Sequence, residues 1–126
     1  PATLDTIRFL EDGTDSRLVL LSSDLDDPIL AKEHFGETFT TDHNLYIRGN
    51  LMYQSNYVSG LRILDISDRE NPELVGFFDT VPWNPDAPGF DGSWSNYPFL
   101  ESGIIIVNSG AEGMFILRKH ERNLIP

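Results

Sequence analysis

Apolar and polar positions alternate over short runs along this chain, and Gly, Asn, Ser and Asp cut the runs apart. The stretch HNLYIRGNLMYQSNYVSGLRILDISDRENP, from His43 to Pro72, shows the pattern best. Its period of two and its β-branched and aromatic content predict strands, while helical periodicity is weak throughout. Four strands follow: roughly His43 to Arg48, Asn50 to Asn56, Gly60 to Ile66 and Glu73 to Asp79. Gly49 and Asn50 make the first connection tight, because both tolerate a positive φ. Tyr57 to Gly60 reads as a short hairpin loop. In the last connection Asp68 is placed to accept from nearby backbone N–H groups, and Pro72 forces Asn71 out of the helical region.

The pattern recurs. TIRFLEDGTDSRLVLLSSDLDDPIL (Thr6 to Leu30) lies over NLMYQSNYVSGLRILDISDRENPEL (Asn50 to Leu74) without a gap, at an offset of 44. Phe9 falls on Tyr53, Val19 on Ile63 and Pro28 on Pro72. TDHNLYIRGNLMYQSNYVSGLRIL (Thr41 to Leu64) lies over WSNYPFLESGIIIVNSGAEGMFIL (Trp94 to Leu117) at an offset of 53. The extra residues fall in the Pro- and Gly-rich insert Val81 to Gly92. Four antiparallel strands per unit at such a period predict β-propeller blades. The first copy lacks its opening strand and the last stops after its third, near Arg118, so ten strands are expected.

The expected fold is therefore all-β, a partial β-propeller of about two and a half four-stranded antiparallel blades. It is read as one unit over residues 1–126, with blade parts about 5–35, 41–80 and 93–118. A closed ring needs at least about four blades. The chain is accordingly expected to be the C-terminal portion of a larger propeller. The remaining blades of the parent, or a second protein chain, would cover its open faces.

Charge narrows the partners. Nine Lys and Arg against twenty Asp and Glu leave a formal charge of −11. Such a surface repels phosphate backbones and anionic lipid, so no nucleic acid partner is expected. The absence of Cys removes disulfides, thiolate nucleophiles and Cys-based zinc sites from consideration. The longest apolar run, Ile104 to Val107, is far too short for direct membrane insertion. The sequence starts at Pro1 rather than Met and has no signal-peptide pattern, which reads as a processed product or a piece of something longer.

The segments DHNLYIRGNLMYQSNYVSGLRILDISDRENPELVGFFDT (Asp42 to Thr80) and FDGSWSNYPFLESGIIIVNSGAEGMFIL (Phe90 to Leu117) resemble the LVIVD-repeat propellers of the choice-of-anchor B family. The resemblance covers over half of the chain, and the first forty residues match loosely. It implies an exported protein, extracellular or at the cell surface, whose anchoring segment varies between members. It implies no catalytic residue.

Candidate chemistry is sparse. His43 follows Asp42, and a carboxylate can orient an imidazole as a general base. Adjacent strand residues point to opposite faces, however, which argues against a dyad. The aligned position in the next copy is Asn96, so a polar side chain bonded to the neighbouring blade's backbone is the competing role. The clusters EDGTDS and SDLDD bring Asp12, Asp15, Asp24, Asp26 and Asp27 close enough to suggest calcium, although Asp and Gly also suit turns there. His34 and His120 show no zinc spacing. Trp83 and Phe90 lie in the insert, where loops that exceed the repeat tend to bind. With Trp94 and His43 they form the candidate ligand-binding set. The competing expectation packs Trp94, Tyr97 and Phe99 between blades.

Three functions compete: a non-enzymatic binding or scaffolding module, a hydrolase or lyase using His43 and carboxylates in the channel, and a calcium-stabilised structural repeat. No cofactor other than calcium is expected. The calcium reading predicts a melting temperature that rises with added calcium and falls with chelator, and a melting curve indifferent to both counts against it.

Overall fold

Ten strands run through the computed structural model, which describes residues 6–9, 17–21 and 30–33 as backbone and residues 34–68 and 70–120 with their side chains. They are β1 (Thr6–Phe9), β2 (Arg17–Leu21), β3 (Leu30–Phe35), β4 (Asn44–Arg48), β5 (Leu51–Ser55), β6 (Leu61–Asp65), β7 (Glu73–Phe78), β8 (Ser93–Tyr97), β9 (Ile104–Ser109) and β10 (Gly113–Arg118). Three sheets result, in the spatial orders β1-β2-β3, β4-β5-β6-β7 and β10-β9-β8. Every pairing within them is antiparallel between consecutive strands. The described residues contain no helix.

Turn chemistry sets the strand ends. Gly49 and Asn50 alone join β4 to β5, with Arg48 opposite Leu51 and Gly49 at φ 61°. That is the glycine-first two-residue hairpin. Gly60, expected to open β6, closes the preceding turn instead. Its φ is 78° and its N–H donates to the Tyr57 carbonyl at 2.9 Å. A Cβ there would lie 2.1 Å from the Phe78 carbonyl oxygen. The chain enters β7 through Asp68, whose carboxylate accepts from the Glu70 N–H at 3.2 Å and from Asn71 Nδ2 at 2.8 Å. β8 ends at Tyr97 because Pro98 has no N–H to continue the ladder, whereas the aligned Leu45 carries β4 onward.

The repeat reappears in the pairing. Leu51 opposite Asp65 becomes Ile104 opposite Arg118, both partners 53 residues further on, and the pairs between them follow. β2–β3 and β6–β7 each carry one bulge. The residues skipped there, Ala31 and Val75, coincide at the offset of 44. A bulge held at one place in two copies belongs to the design of the unit.

Alternation then decides which faces meet. Leu51, Tyr53, Leu61, Ile63 and Phe78 share one face of the middle sheet, packed against Ile105, Val107, Phe115 and Leu117 of the third. Met52 and Leu64, with Leu45, Ile47 and Leu74, form a second cluster on the opposite face. Moved back by 53 residues, Ile105, Val107, Phe115 and Leu117 correspond to Met52, Gln54, Arg62 and Leu64. The third sheet therefore lays its back face on the front face of the middle one. Equivalent faces do not meet.

Ile105 is 2 % exposed and Ile116 65 %, though both sit in paired strands of one sheet. Ile105→Ala should cost roughly 2–5 kcal/mol through lost burial and the cavity left behind. Ile116→Ala should stay within about 0.5 kcal/mol. Gly60→Ala should cost more than about 1 kcal/mol, because it meets both a positive φ and a backbone clash. Urea midpoints of the three variants check the order.

Candidate functional site

Four rings meet at the end of the middle and third sheets where the insert crosses. His43 stands just ahead of β4, held there by its N–H donating to the Ser55 carbonyl at 3.0 Å. Its ring centroid lies 4.2 Å from that of Trp94 and 5.0 Å from that of Tyr57. Tyr57 packs edge-on against Phe90 at 5.3 Å and Trp94 at 5.9 Å. Tyr57 is only 3 % exposed, while Trp94 and Phe90 are 52 % and 73 % exposed. One buried ring thus supports two open ones.

The backbone beneath fixes this arrangement. Tyr57 has φ 45°, a left-handed conformation that costs a non-glycine residue roughly 1–3 kcal/mol. It persists because all its backbone polar groups are committed. The Tyr57 N–H donates to the Ser93 carbonyl at 3.0 Å, and its carbonyl accepts from the N–H groups of Ser93 at 2.8 Å and Gly60 at 2.9 Å. Gly92, at φ 95°, lets the insert approach, since a Cβ there would sit 2.3 Å from the Tyr57 carbonyl oxygen. The Gly89 N–H donates to Thr41 Oγ1 at 3.0 Å and ties down the residue before Phe90.

His43 Nδ1 donates to the Trp94 carbonyl oxygen. In the neutral ring that leaves Nε2 as the acceptor. The contact reaches the backbone of the neighbouring sheet. Asp42, adjacent in sequence, is 1 % exposed. Asp65 has a different task. Ser67 donates to its Oδ1 from Oγ at 2.6 Å and from the backbone N–H at 2.8 Å, and these bonds hold the carboxyl below its usual range. It ends β6 as a turn residue.

A polar seam joins the sheets under the rings. Asn96, 5 % exposed, donates through Nδ2 to Ser55 Oγ at 2.8 Å and to the Tyr53 carbonyl at 3.2 Å. The Ser109 and Thr80 hydroxyls also bond across at 3.0 Å, with Ser109 Oγ donating to Glu112 Oε1 at 2.5 Å, while within the middle unit Thr40 Oγ1 donates to Ser59 Oγ at 3.0 Å. Further along, Arg48 Nη1 donates to the carbonyls of Pro98 at 2.8 Å and Leu100 at 2.9 Å. Phe99 there packs edge-on against Tyr46 and Tyr97.

The structure brings His43, Phe90 and Trp94 together. Trp83 stands apart, 69 % exposed, with no ring contact among the described residues. The expectation that Trp94, Tyr97 and Phe99 pack between sheets holds only at the rim of the contact: Trp94 meets His43 and Phe99 meets Tyr46 of the middle sheet, yet the three are 52 %, 42 % and 49 % exposed in the order Trp94, Phe99, Tyr97. Asn96 on β8 reaches straight to the β5 backbone and is buried, while the rings of Trp94 and Tyr97 on the same strand stay half exposed. Asp12, Asp15, Asp24, Asp26 and Asp27 lie outside the described residues. Among the described residues no group of three or more His, Cys, Asp or Glu side chains could hold a metal ion. Sequence reasoning missed Tyr57 and the seam. The dense small polar residues of TTDHN, SNYVS and SWSN were the available signal.

Compared with known proteins, the chain matches no family model, no curated sequence and no solved structure.

Asn96→Ala should destabilise the fold by roughly 1–3 kcal/mol, because two buried acceptors lose their donor. Phe90→Ala should leave stability within about 0.5 kcal/mol. Urea melts separate the two. Ser67→Ala should raise the Asp65 titration midpoint followed by NMR. Since the folded carboxyl titrates lower than the unfolded one, its contribution to stability is present above the ordinary carboxylate range and fades as pH falls through the folded value.

Proposed function

We propose that this chain is part of a β-propeller acting as a non-enzymatic binding or scaffolding module outside the cell, as its resemblance to the choice-of-anchor B family implies. The observation that carries the propeller reading is the front-to-back order of the middle and third sheets. Radial repetition puts unlike faces in contact at every step. The two inner faces of a sandwich built from equivalent sheets would be alike. The repeated register and the repeated bulge support the same reading.

The binding half rests on the shelf formed by Phe90 and Trp94 over Tyr57. Rigid aromatic side chains offer contact area at little entropic cost, and their faces suit sugar rings and apolar side chains. His43, with Nδ1 committed to a backbone carbonyl, walls the shelf rather than serving as half of an acid–base pair. The calcium alternative concerns residues outside those described.

The chain has two tryptophans, so Trp83→Phe leaves Trp94 as the single reporter. Its emission, titrated with cell-surface oligosaccharides and apolar peptides, should change saturably for a ligand of this shelf. Phe90→Ala should then weaken that ligand at least about tenfold, or 1.4 kcal/mol. Saturable binding untouched by Phe90→Ala would remove the shelf as the contact.

A further inference from the structure

The shared register of the middle and third sheets also marks where the middle copy departs from the repeat. Val107 and Phe115 pair across β9 and β10 and pack in the apolar contact between the sheets. Their counterparts 53 residues back are Gln54 and Arg62, which pair across β5 and β6. The face that carries them, turned away from the third sheet, opens into a cavity of about 400 Å³ bounded on its other side by Phe35 to Thr38. Gln54 is 5 % exposed and Asn56, two residues on, 3 %. Asn56 Oδ1 is buried and has no hydrogen-bond partner among the described residues. Arg62 is half-buried. Its Nε donates to the Ser59 carbonyl at 3.0 Å, and its guanidinium carbon lies 5.0 Å from the centroid of the Phe77 ring. Both of those partners are uncharged, so the positive charge and the two Nη groups remain for a ligand. Leu64 and Leu74 give the cavity an apolar wall.

We propose that this cavity binds the carboxylate end of an N-acylated apolar amino acid, free or as the last residue of a peptide. Each part of that ligand answers a part of the lining. A guanidinium anchored at Nε and held against a ring presents its Nη pair as a fork for a carboxylate. A ligand amide both donates and accepts, which suits two buried carboxamides. Its N–H meets the unpaired Asn56 oxygen, and its carbonyl meets Gln54 Nε2. An apolar side chain covers Leu64 and Leu74. Glu37 and Glu73, both exposed, also line the cavity and disfavour a second negative group on the ligand. The repeat supplies the contrast. Val107 and Phe115 pack at the same positions of the unit, so the architecture does not itself require Gln and Arg there. Neither ring closure nor the aromatic shelf enters into this assignment.

N-acetyl-leucine is the probe, titrated into the isotope-labelled 126-residue chain. It should shift the NMR signals of Gln54, Asn56 and Arg62 saturably, with the side-chain amides of the first two moving most. N-acetyl-leucinamide keeps the acyl group and the side chain but loses the charge, and should bind at least about tenfold more weakly. In Arg62→Gln the acid should fall to the affinity of the amide. The comparison of acid with amide uses the unaltered protein, so it reads the site even where Arg62→Gln fails to fold. Equal affinity of acid and amide, shifts centred elsewhere, or no saturable binding up to the probe's solubility limit would each overturn the proposal. N-acetyl-alanyl-alanyl-leucine carries the same end on a longer chain and separates the two sources. Tighter binding than the single residue assigns the cavity to a peptide end, and equal or weaker binding to a free acylated amino acid.

Discussion

The contact between the middle and third sheets is the constraint on which the rest depends. Its centre is apolar, with Val107 fully buried against Tyr53, Leu61 and Ile63 of the middle sheet. Its end is polar, where side chains from both sheets bond across, Asn96 to Ser55 and Ser109 to Thr80. The two parts act differently. Burying Tyr53, Leu61, Ile63, Ile105 and Val107 supplies non-directional stabilisation of about 25 cal/mol for each Å² removed from water. The seam is directional and intolerant of mismatch, because a buried polar group that loses its partner costs its full desolvation. Packing brings the sheets together, and the seam fixes how they are placed.

The site inherits its geometry from that placement. Tyr57 closes a hairpin of the middle sheet, yet its backbone pairs with Ser93 at the head of the third. The left-handed residue and the reciprocal bridge are two views of one junction. Phe90 and Trp94 then open to solvent above a ring that is locked in place. Exposed aromatic area on such a support loses little freedom when something stacks on it.

Much of the architecture was legible along the chain. The four middle strands were marked by alternation and bounded by Gly49, Asp68 and Pro72, whose effects are local and reach only a few residues. The grouping of ten strands into sheets of three, four and three followed from the offsets of 44 and 53. The errors lie where local reasoning ends. Gly60 closes the turn before β6, its N–H bonded to the carbonyl of Tyr57, whose own backbone is held by Ser93 of another sheet. Trp94, Tyr97 and Phe99 stay at the half-exposed rim, while Asn96, 43 residues from Tyr53 along the chain, takes the place against the β5 backbone. Aromatic rings read as core by composition, and only their place among the packed sheets says otherwise. Tyr57 was hidden for the same reason, since its φ is imposed by partners remote in sequence.

Stacking unlike faces gives the assembly a polarity. The middle sheet offers its front and the third its back, surfaces that are not self-complementary, so two copies cannot reproduce this contact by a simple two-fold. Association through these surfaces is heterologous, and heterologous contacts either rotate until they close or continue as an open filament. The bulge repeated at Ala31 and Val75 sets the same local twist into the outer pair of strands in two of the three sheets.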